Sequence, residues 1–104
     1  MTFDTQAMYD LRYMTPARKY FKKLKDKGLI AAYADALNKI ALDPYSGEAK
    51  TGDLAGIYCK DVYHAKTNYE VAYRIVEESD RAVIIVLAGT RENFYLELKR
   101  YMSN

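Results

Sequence analysis

The segment from 81 to 89, RAVIIVLAG, constrains the fold more than any other part of this chain. It is apolar almost throughout, and a strand of that composition needs cover on much of both faces. The segment from 68 to 77, NYEVAYRIVE, alternates as a strand does. One face carries Tyr69, Val71, Tyr73 and Ile75, and the other carries Glu70, Ala72, Arg74 and Val76. With EESD at 77–80 as the turn, the two segments predict a β-hairpin whose second strand lies centrally in a sheet.

Two amphipathic helices upstream are predicted to supply part of that cover. Thr15 and Pro16 form a typical helix start, an N-cap followed by proline at the first helical position. We expect Gly28 to end this helix and the Asp43–Pro44 pair to end the next. The apolar stripes are Ala17, Tyr20, Phe21 and Leu24 in the first helix, and Ile30, Tyr33, Ala34, Leu37, Ile40 and Ala41 in the second. Because so few residues separate the helices, they are predicted to pack as a hairpin.

The remaining segments complete a single-domain prediction for residues 1–104. A strand is predicted at 8–13, a turn-rich loop at 43–56, another strand at 57–63, and a final helix at about 92–102. The final helix places Tyr95, Leu98 and Met102 on one side. The order β-α-α-β-β-β-α indicates an α+β fold with an antiparallel, twisted sheet of about four strands.

Cysteine content and hydropathy restrict the class of protein. The single cysteine, Cys59, cannot form an internal disulfide, which fits a reducing compartment and excludes a cysteine-based metal site. No apolar run approaches the roughly 20 residues that span a bilayer. The first 14 residues lack the basic-then-apolar layout of a signal peptide. We therefore expect a cytoplasmic protein without a membrane partner, a metal or a cofactor.

Charge and tyrosine are unevenly distributed. The net charge is only +2, yet residues 18–27, RKYFKKLKDK, contain six Lys or Arg and one Asp. Such a stripe can bind phosphate through counterion release, but a solvated helix face is the simpler explanation and is favoured from this feature alone. The chain has 11 tyrosines and no tryptophan, a composition that suits a surface both apolar and wet, such as an interface.

Three segments carry a resemblance to a known family. They are GDLAGIY at the entry to the predicted sheet, TNYEVAYRI within it, and GTRENFYLELKRYM after the apolar strand. Together with the paired N-terminal helices, and over about residues 9–102, the chain resembles the RelE/ParE superfamily of type II toxin–antitoxin toxins. The resemblance implies a small toxin held inactive by a cognate antitoxin. It implies either a ribosome-dependent endoribonuclease that cuts mRNA, as in the RelE branch, or an inhibitor of DNA gyrase, as in the ParE branch.

The two branches share a fold, so only the residues on the sheet surface can choose between them. Metal-free RNA cleavage uses the 2′-OH as the nucleophile against the adjacent phosphorus. It therefore needs a base for the 2′ proton, an acid for the leaving 5′ oxygen, and cations for the transition state. In RelE-like sites lysines, arginines and a tyrosine fill these roles. A lysine base needs its pKa lowered by neighbouring positive charge.

The resemblance assigns candidate catalytic roles to two residues near the last helix. Arg91 matches the family arginine that stabilises phosphate or donates a proton. Tyr95 matches a C-terminal tyrosine that orients the nucleotide. The gap of four residues between them is expected to place both on one helix face.

Further candidates lie on the predicted strands. Arg74 is expected to add positive charge beside Arg91 in one solvent-open hollow that grips a phosphodiester. Proton transfer is assigned to Lys60, with His64 and Lys66 as alternatives, because the register of the CKDVYHAK segment against the family is open. Candidate RNA-binding residues are Lys66, Lys50 and Tyr63.

Each candidate also has a simpler structural role. His64 is more often a solvated turn residue than an acid or base, and Arg91 could merely pair with Glu92. Tyr95 lies on the apolar side of its helix, where a core role is slightly favoured. Cys59 is most simply a small buried hydrophobe.

Glu70 departs from the RelE pattern, which has an arginine after the tyrosine matched by Tyr69. A carboxylate there would repel phosphate, although Arg74 on the same predicted face could pair with it. An exposed pair of that kind contributes only 0 to ~1 kcal/mol, so a substrate could break it. The first hypothesis is therefore a toxin that cuts mRNA on the ribosome. The alternatives are a non-catalytic gyrase inhibitor and an inactive family member.

Overall fold

The computed structural model describes residues 8–78 and 81–103 of the chain. Their main helices and strands are β1 (Asp10–Tyr13), α1 (Thr15–Lys23), α2 (Lys27–Leu42), β2 (Glu48–Ala49), β3 (Tyr58–His64), β4 (Thr67–Val76), β5 (Ala82–Thr90) and α3 (Phe94–Met102). Short 3-10 turns at Pro44–Ser46 and Gly52–Leu54 interrupt the long loop after α2. The predicted α+β class is confirmed. The turn predicted at 77–80 lies partly outside the described residues.

The strands form one sheet in the order β1-β5-β4-β3-β2. The pairs β5–β4, β4–β3 and β3–β2 are antiparallel, whereas β1 runs parallel to β5. The sheet differs from the predicted antiparallel sheet of about four strands in two details, which are the direction of β1 and the presence of β2. β1 pairs with β5, which is far from it in the chain. A four-residue strand cannot reveal such a partner from its own sequence. β2 adds a fifth strand because Glu48 and Ala49 lie alongside Cys59 and Tyr58.

The two faces of the sheet bury separate apolar clusters. We call the face under α1 and α2 the hairpin face; it packs Ala17, Tyr33 and Ile40 against Val71 and Tyr73. The opposite face, the α3 face, packs Ala72, Val86 and Leu87 against Phe94 and Leu98. The apolar strand β5 is covered on both faces, as its composition predicts.

β5 contains a β-bulge, in which one extra residue changes which side chains face each cluster. Ala72 of β4 pairs with Leu87, but the next residue, Tyr73, pairs with Ile85, so Val86 has no partner of its own. This bulge places Val86 and Leu87 together in the cluster on the α3 face. The sequence could not predict this bulge, because every residue around it is apolar and none indicates which face of the sheet is exposed.

Three helix boundaries differ from the predictions. The N-cap residue of α1 is Met14, so Thr15, the predicted N-cap, is the first helical residue. α1 ends at Lys23, and Gly28 lies inside the first turn of α2 instead of ending α1. The reason is Asp26, whose carboxylate accepts a hydrogen bond from the Leu29 N–H at 3.1 Å and caps α2. α3 begins at Phe94, two residues later than expected, because Asn93 has a left-handed backbone with φ of 64°.

Within residues 8–78 and 81–103, no helix combines the length and the apolar character needed to cross a membrane.

Candidate functional site

Arg91 lies in the bend that joins β5 to α3, and backbone hydrogen bonds fix its position. Its N–H donates to the Asn68 carbonyl at 2.9 Å, and its own carbonyl accepts from the Phe94 N–H at 3.1 Å. The expectation that Arg91 and Tyr95 share a helix face is wrong, because α3 begins three residues after Arg91. Arg91 therefore projects from a rigid strand end.

Two carboxylates hold the guanidinium of Arg91. Its Nε donates to Glu70 Oε2 at 2.8 Å, and its Nη2 donates to Asp61 Oδ1 at 3.2 Å. Asp61 and Glu70 are direct partners across the β3–β4 ladder, so the sheet itself brings the two acids together. Arg91, Glu70 and Asp61 are called the Arg91 cluster below. Sequence reasoning missed Asp61. Because Asp61 lies two residues after Cys59 along β3, both side chains are on the α3 face.

Glu70 is the buried member of the Arg91 cluster. Its side chain is 1% exposed, against 51% for Arg91 and 65% for Asp61. Burial, followed by the neighbouring Asp61, raises the pKa of Glu70, and the opposing effect of Arg91 is smaller. Glu70 Oε1 has no hydrogen-bond partner among the described residues. A negative charge at this position is therefore only partly compensated.

Lys50 and Tyr95 form a second contact near the Arg91 cluster. Lys50 Nζ lies 4.7 Å from the centre of the Tyr95 ring and 3.1 Å from Glu48 Oε1. Burial lowers the pKa of Lys50, but hydrogen bonds with Glu48 and Tyr95 outweigh it, and the net shift is upward. Burial also raises the pKa of the neighbouring Cys59 thiol to about 11. Lys50 is thus held as a cation and Cys59 as a neutral thiol.

The proposed proton-transfer residues do not gather around Arg91. Lys60 and His64 share the strand parity of Val62, which packs on the hairpin face, whereas Asp61 has the opposite parity. Lys60 lies closest of these candidates, since it lines a polar hollow of about 290 Å³ together with Asp61. His64 packs instead against the start of α2, with Nε2 3.8 Å from Asp26 Oδ1.

The other candidate residues are dispersed as well. Lys66 is exposed in the two-residue turn between β3 and β4. Tyr63 is 65% exposed and has the strand parity of Asp61, so it borders the α3 face. Arg74 is exposed on β4, four residues beyond Glu70, a separation of about 13 Å along an extended strand. Arg74 makes no ion pair with Glu70 among the described residues, and Arg91 takes that place.

The cationic hollow expected around Arg74 and Arg91 is therefore not formed. The structure brings Arg91 to two carboxylates, and Arg74 lies four residues beyond Glu70, about 13 Å along β4. As for metals, the described residues contain no group of three or more His, Cys, Asp or Glu side chains suited to hold an ion. The arrangement can neutralise a guanidinium and bind a proton, but it offers little to a phosphate.

Comparisons with known proteins agree with this fold. Residues 11–99 match a sequence family described as the ParE-like toxin of type II bacterial toxin-antitoxin systems. No curated protein matches the sequence.

Three solved structures illustrate the similarity. The RelBE2 toxin-antitoxin complex from Mycobacterium tuberculosis has a chain 27% identical, with a TM-score of 0.62, covering 81% of this chain and 99% of its own. A free mutant of the E. coli toxin RelE is 16% identical, with a TM-score of 0.68 and coverages of 88% and 93%. The intact E. coli RelBE toxin-antitoxin complex gives 18% identity, a TM-score of 0.60, and coverages of 78% and 94%.

Proposed function

Because this chain belongs to the ParE-like toxin family of type II bacterial toxin–antitoxin systems, we propose that it arrests growth by binding a protein target instead of cutting RNA. DNA gyrase, the target in the ParE branch, is the first candidate. The observation that carries the proposal is the Arg91 cluster. Its two carboxylates already accept the hydrogen bonds that Nε and Nη2 of the arginine could otherwise donate to a phosphate.

Electrostatics supports this choice over phosphate chemistry. A phosphodiester that reached Arg91 would have to displace both Glu70 and Asp61 from the guanidinium, or add further negative charge beside them. Displacing Glu70 would leave a fully buried carboxylate without its cation, which is strongly unfavourable. A protein target can instead contact the exposed side of the cluster while the internal ion pairs stay intact.

The positions of the candidate acids and bases also favour binding over cleavage. His64 is on the far side of the sheet from Arg91, and Lys66 is at the tip of the β3–β4 turn. Lys50 is near Tyr95, but its pKa is shifted upward, opposite to what a general base requires. The exposed aromatic ring of Tyr63 fits a protein interface at least as well as it fits a base-stacking platform.

Endoribonuclease activity on the ribosome is the second candidate. It is favoured by the RelBE2 relative, which is 27% identical and is a RelE-type toxin by its name. On this alternative, ribosome binding would pull Arg91 out of its cluster. Lys60, which lines a hollow with Asp61, would then be the nearest proton-transfer group.

The two candidates differ in what fails first after brief expression in cells. Primer extension on mRNA would reveal new cuts within codons if RNA is the target. A supercoiling assay with purified gyrase would reveal inhibition or broken DNA if gyrase is the target. We expect gyrase inhibition with intact mRNA. Cut mRNA with normal supercoiling would reject the proposal, and an unaffected cell containing folded protein would reject both candidates.

A variant pair sharpens the distinction. Replacing Glu70→Gln and Asp61→Asn together removes both carboxyl groups that contact Arg91 and leaves its charge available to phosphate. On the endoribonuclease hypothesis this variant cuts mRNA faster than wild type, and adding Arg91→Ala abolishes the gain. On the binding proposal neither variant cuts mRNA.

As a type II toxin the chain is one member of a pair with an antitoxin, as in the RelBE complexes. We propose that the antitoxin covers the apolar groove between α1 and α2, which has a volume of about 490 Å³. Its lining includes Phe21, Leu24 and Leu37, with Arg18 and Lys22 available to acidic residues. Co-purification with the product of the neighbouring gene, lost when Leu37→Glu is introduced, would support this site.

A further inference from the structure

Glu70 has one oxygen that the described residues leave without a partner, in a place where water has almost no access. Oε2 accepts from Arg91 Nε at 2.8 Å, while Oε1 makes no hydrogen bond. The residue as a whole is 0% exposed. An ionised carboxylate can only accept hydrogen bonds, so it cannot satisfy Oε1 against another carboxylate.

The facing group is Asp61, the direct cross-strand partner of Glu70. Asp61 Oδ1 already accepts from Arg91 Nη2 at 3.2 Å. A proton on Glu70 Oε1 turns that oxygen into a donor, and the Asp61 carboxylate at the paired position of β3 is the acceptor available to it. The same proton removes the repulsion between two acids that share one cation.

We propose that Glu70 and Asp61 share a single proton in the folded protein, which closes the Arg91 cluster into a hydrogen-bonded ring of three side chains. The proton comes from solvent on folding and returns to it on unfolding. With the proton in place the cluster is electrically neutral, since one carboxylate balances the guanidinium. Without it the cluster carries one net negative charge on the α3 face.

The charged and titratable groups around the pair agree with an uptake of one proton. Asp61 and Cys59 face it from β3, Arg91 from the β5–α3 bend and Tyr95 from α3, whereas Tyr33 of α2 lies on the hairpin face, on the other side of the sheet. Arg91 is the cation in contact with Glu70, and Lys50 is engaged with Glu48 and Tyr95. Burial and Asp61 together outweigh Arg91 and raise the pKa of Glu70. The inference concerns the folded toxin itself and holds whether its target is a protein or RNA.

The sign of the pH dependence follows from the raised pKa. Glu70 binds its proton more tightly in the folded than in the unfolded chain, whose ordinary value is 4.5. The resulting stabilisation is fully present below that value and is lost as the pH rises through the folded pKa. Glu70→Gln keeps an amide donor for Asp61 and a carbonyl acceptor for Arg91, so it imitates the protonated state at every pH.

The first test is a carbon-detected NMR titration of glutamate carboxyl groups in the full chain, with Glu70 assigned by the signal absent from Glu70→Gln. We expect its midpoint above the ordinary glutamate value, and a downward shift in Asp61→Asn, whose amide donates to the carboxylate. The matched control is Glu97→Gln on the exposed side of α3, which should leave the midpoint unchanged. A wild-type midpoint at or below the ordinary value would overturn the proposal.

The second test follows stability and needs no assignment. The urea midpoint of wild type, measured relative to that of Glu70→Gln, should fall as the pH rises through the Glu70 midpoint. Parallel curves for the two proteins would contradict proton sharing. If Glu70→Gln does not fold, the wild-type titration still decides, because the carboxyl signals can be assigned through Asp61→Asn and backbone connectivity.

Discussion

At the scale of single residues, packing defines the role of the only histidine. The His64 ring lies against Gly28 in the first turn of α2, where an added Cβ would come within 2.8 Å of its Cε1. The ring also lies near the N-cap Asp26. His64 therefore ties the end of β3 to the start of α2. Glycine is tolerated in the helix because it makes room for this contact.

A double-mutant cycle tests this role of His64. In a helix, alanine is favoured over glycine by about 0.5–1 kcal/mol, but the His64 ring opposes that gain in wild type. We expect Gly28→Ala to be neutral or destabilising alone and to stabilise the His64→Ala background by about 0.5–1 kcal/mol. Urea denaturation measures both effects. If Gly28→Ala changed stability equally in both backgrounds, the His64 ring would move aside without an energetic penalty, which would contradict this role. His64→Ala is also expected to stay toxic at equal expression.

Tyr73 shows a second residue whose polar atom serves the fold. Its hydroxyl donates to the Pro44 carbonyl at 2.6 Å inside the protein, and burial raises its pKa to about 12. A Cβ on Gly47 would collide with this hydroxyl. The bond ties the loop after α2 to the centre of the sheet.

Removing the Tyr73 hydroxyl should therefore be costly. Tyr73→Phe leaves the buried Pro44 carbonyl without a donor, which we expect to lower the free energy of unfolding by about 1–3 kcal/mol. Tyr63→Phe is the matched control, because that ring is 65% exposed, and its effect should stay within about 0.5 kcal/mol. A Tyr73→Phe variant as stable as the control would show that water replaces the lost bond.

Strand parity explains how much of the site could be predicted from sequence. Alternation along β4 correctly separates Tyr69 and Val71 from Glu70 and Ala72. Which strand lies opposite, and in what register, is a long-range property that alternation cannot supply. For that reason Asp61 was missed as the cross-strand partner of Glu70. Glu70 was expected to pair with Arg74, but it pairs with Arg91, which follows β5.

At the scale of elements, the β3–β4 hairpin contains two of the three non-glycine residues with positive φ in the described part of the chain. Its two-residue loop has positive φ at both positions, 50° at Ala65 and 63° at Lys66, as in a type I′ turn. Such turns prefer Asn-Gly, and a non-glycine residue in this region costs roughly 1–2 kcal/mol. Pairing of His64 with Thr67 nevertheless holds the loop at two residues.

Relieving this strain should stabilise the hairpin. Ala65→Asn combined with Lys66→Gly is expected to raise the free energy of unfolding by about 1–2 kcal/mol, since both replacements tolerate positive φ. Thermal and urea denaturation measure the gain. Lys66→Ala is the control that removes the charge but keeps the strain, and it should not stabilise. A gain in the control would trace the effect to charge and not to the backbone.

Most helices and strands could be predicted from the sequence, but their exact ends and the strands they pair with could not. Apolar periodicity identified the three helices and the strands β3 to β5. Competing end signals were harder to rank. Gly28 is a typical helix terminator, but the cap residue Asp26, three residues after α1 ends at Lys23, starts a new helix before Gly28 is reached. β1 pairs with β5 although both helices and three other strands separate them in the chain, and no local pattern encodes such a contact.

At the scale of the whole molecule, Glu77 joins three segments that are far apart in the chain. Its carboxylate accepts hydrogen bonds from Tyr9, just before β1, at 2.8 Å, and from Tyr45 in the loop after α2. Arg81 lies 4.4 Å from the centre of the Tyr9 ring and 3.9 Å from Glu77. Glu77 follows β4, so one carboxylate links the N-terminal strand, the long loop and the central hairpin.

This link gives Glu77 a pH dependence opposite in sign to that of Glu70. Hydrogen bonds from Tyr45 and Tyr9 lower the pKa of Glu77 below its ordinary value of 4.5. A carboxylate with a lowered folded pKa contributes stability that is present above the unfolded value and is lost as the pH falls through the folded value. Stability of the whole chain in mild acid therefore reflects one carboxyl group that favours the folded state when protonated and another that favours it when ionised.

Glu77→Gln separates the two contributions, because glutamine keeps an acceptor for the tyrosines but cannot ionise. We expect its urea midpoint to lie below that of wild type at neutral pH, and the gap to close as the pH falls below 4.5. The neighbouring Glu78→Gln, at an exposed position, controls for the loss of one negative charge and should follow wild type. A gap that stays constant with pH would show that Glu77 acts through shape alone, and that its charge does not hold the three segments together.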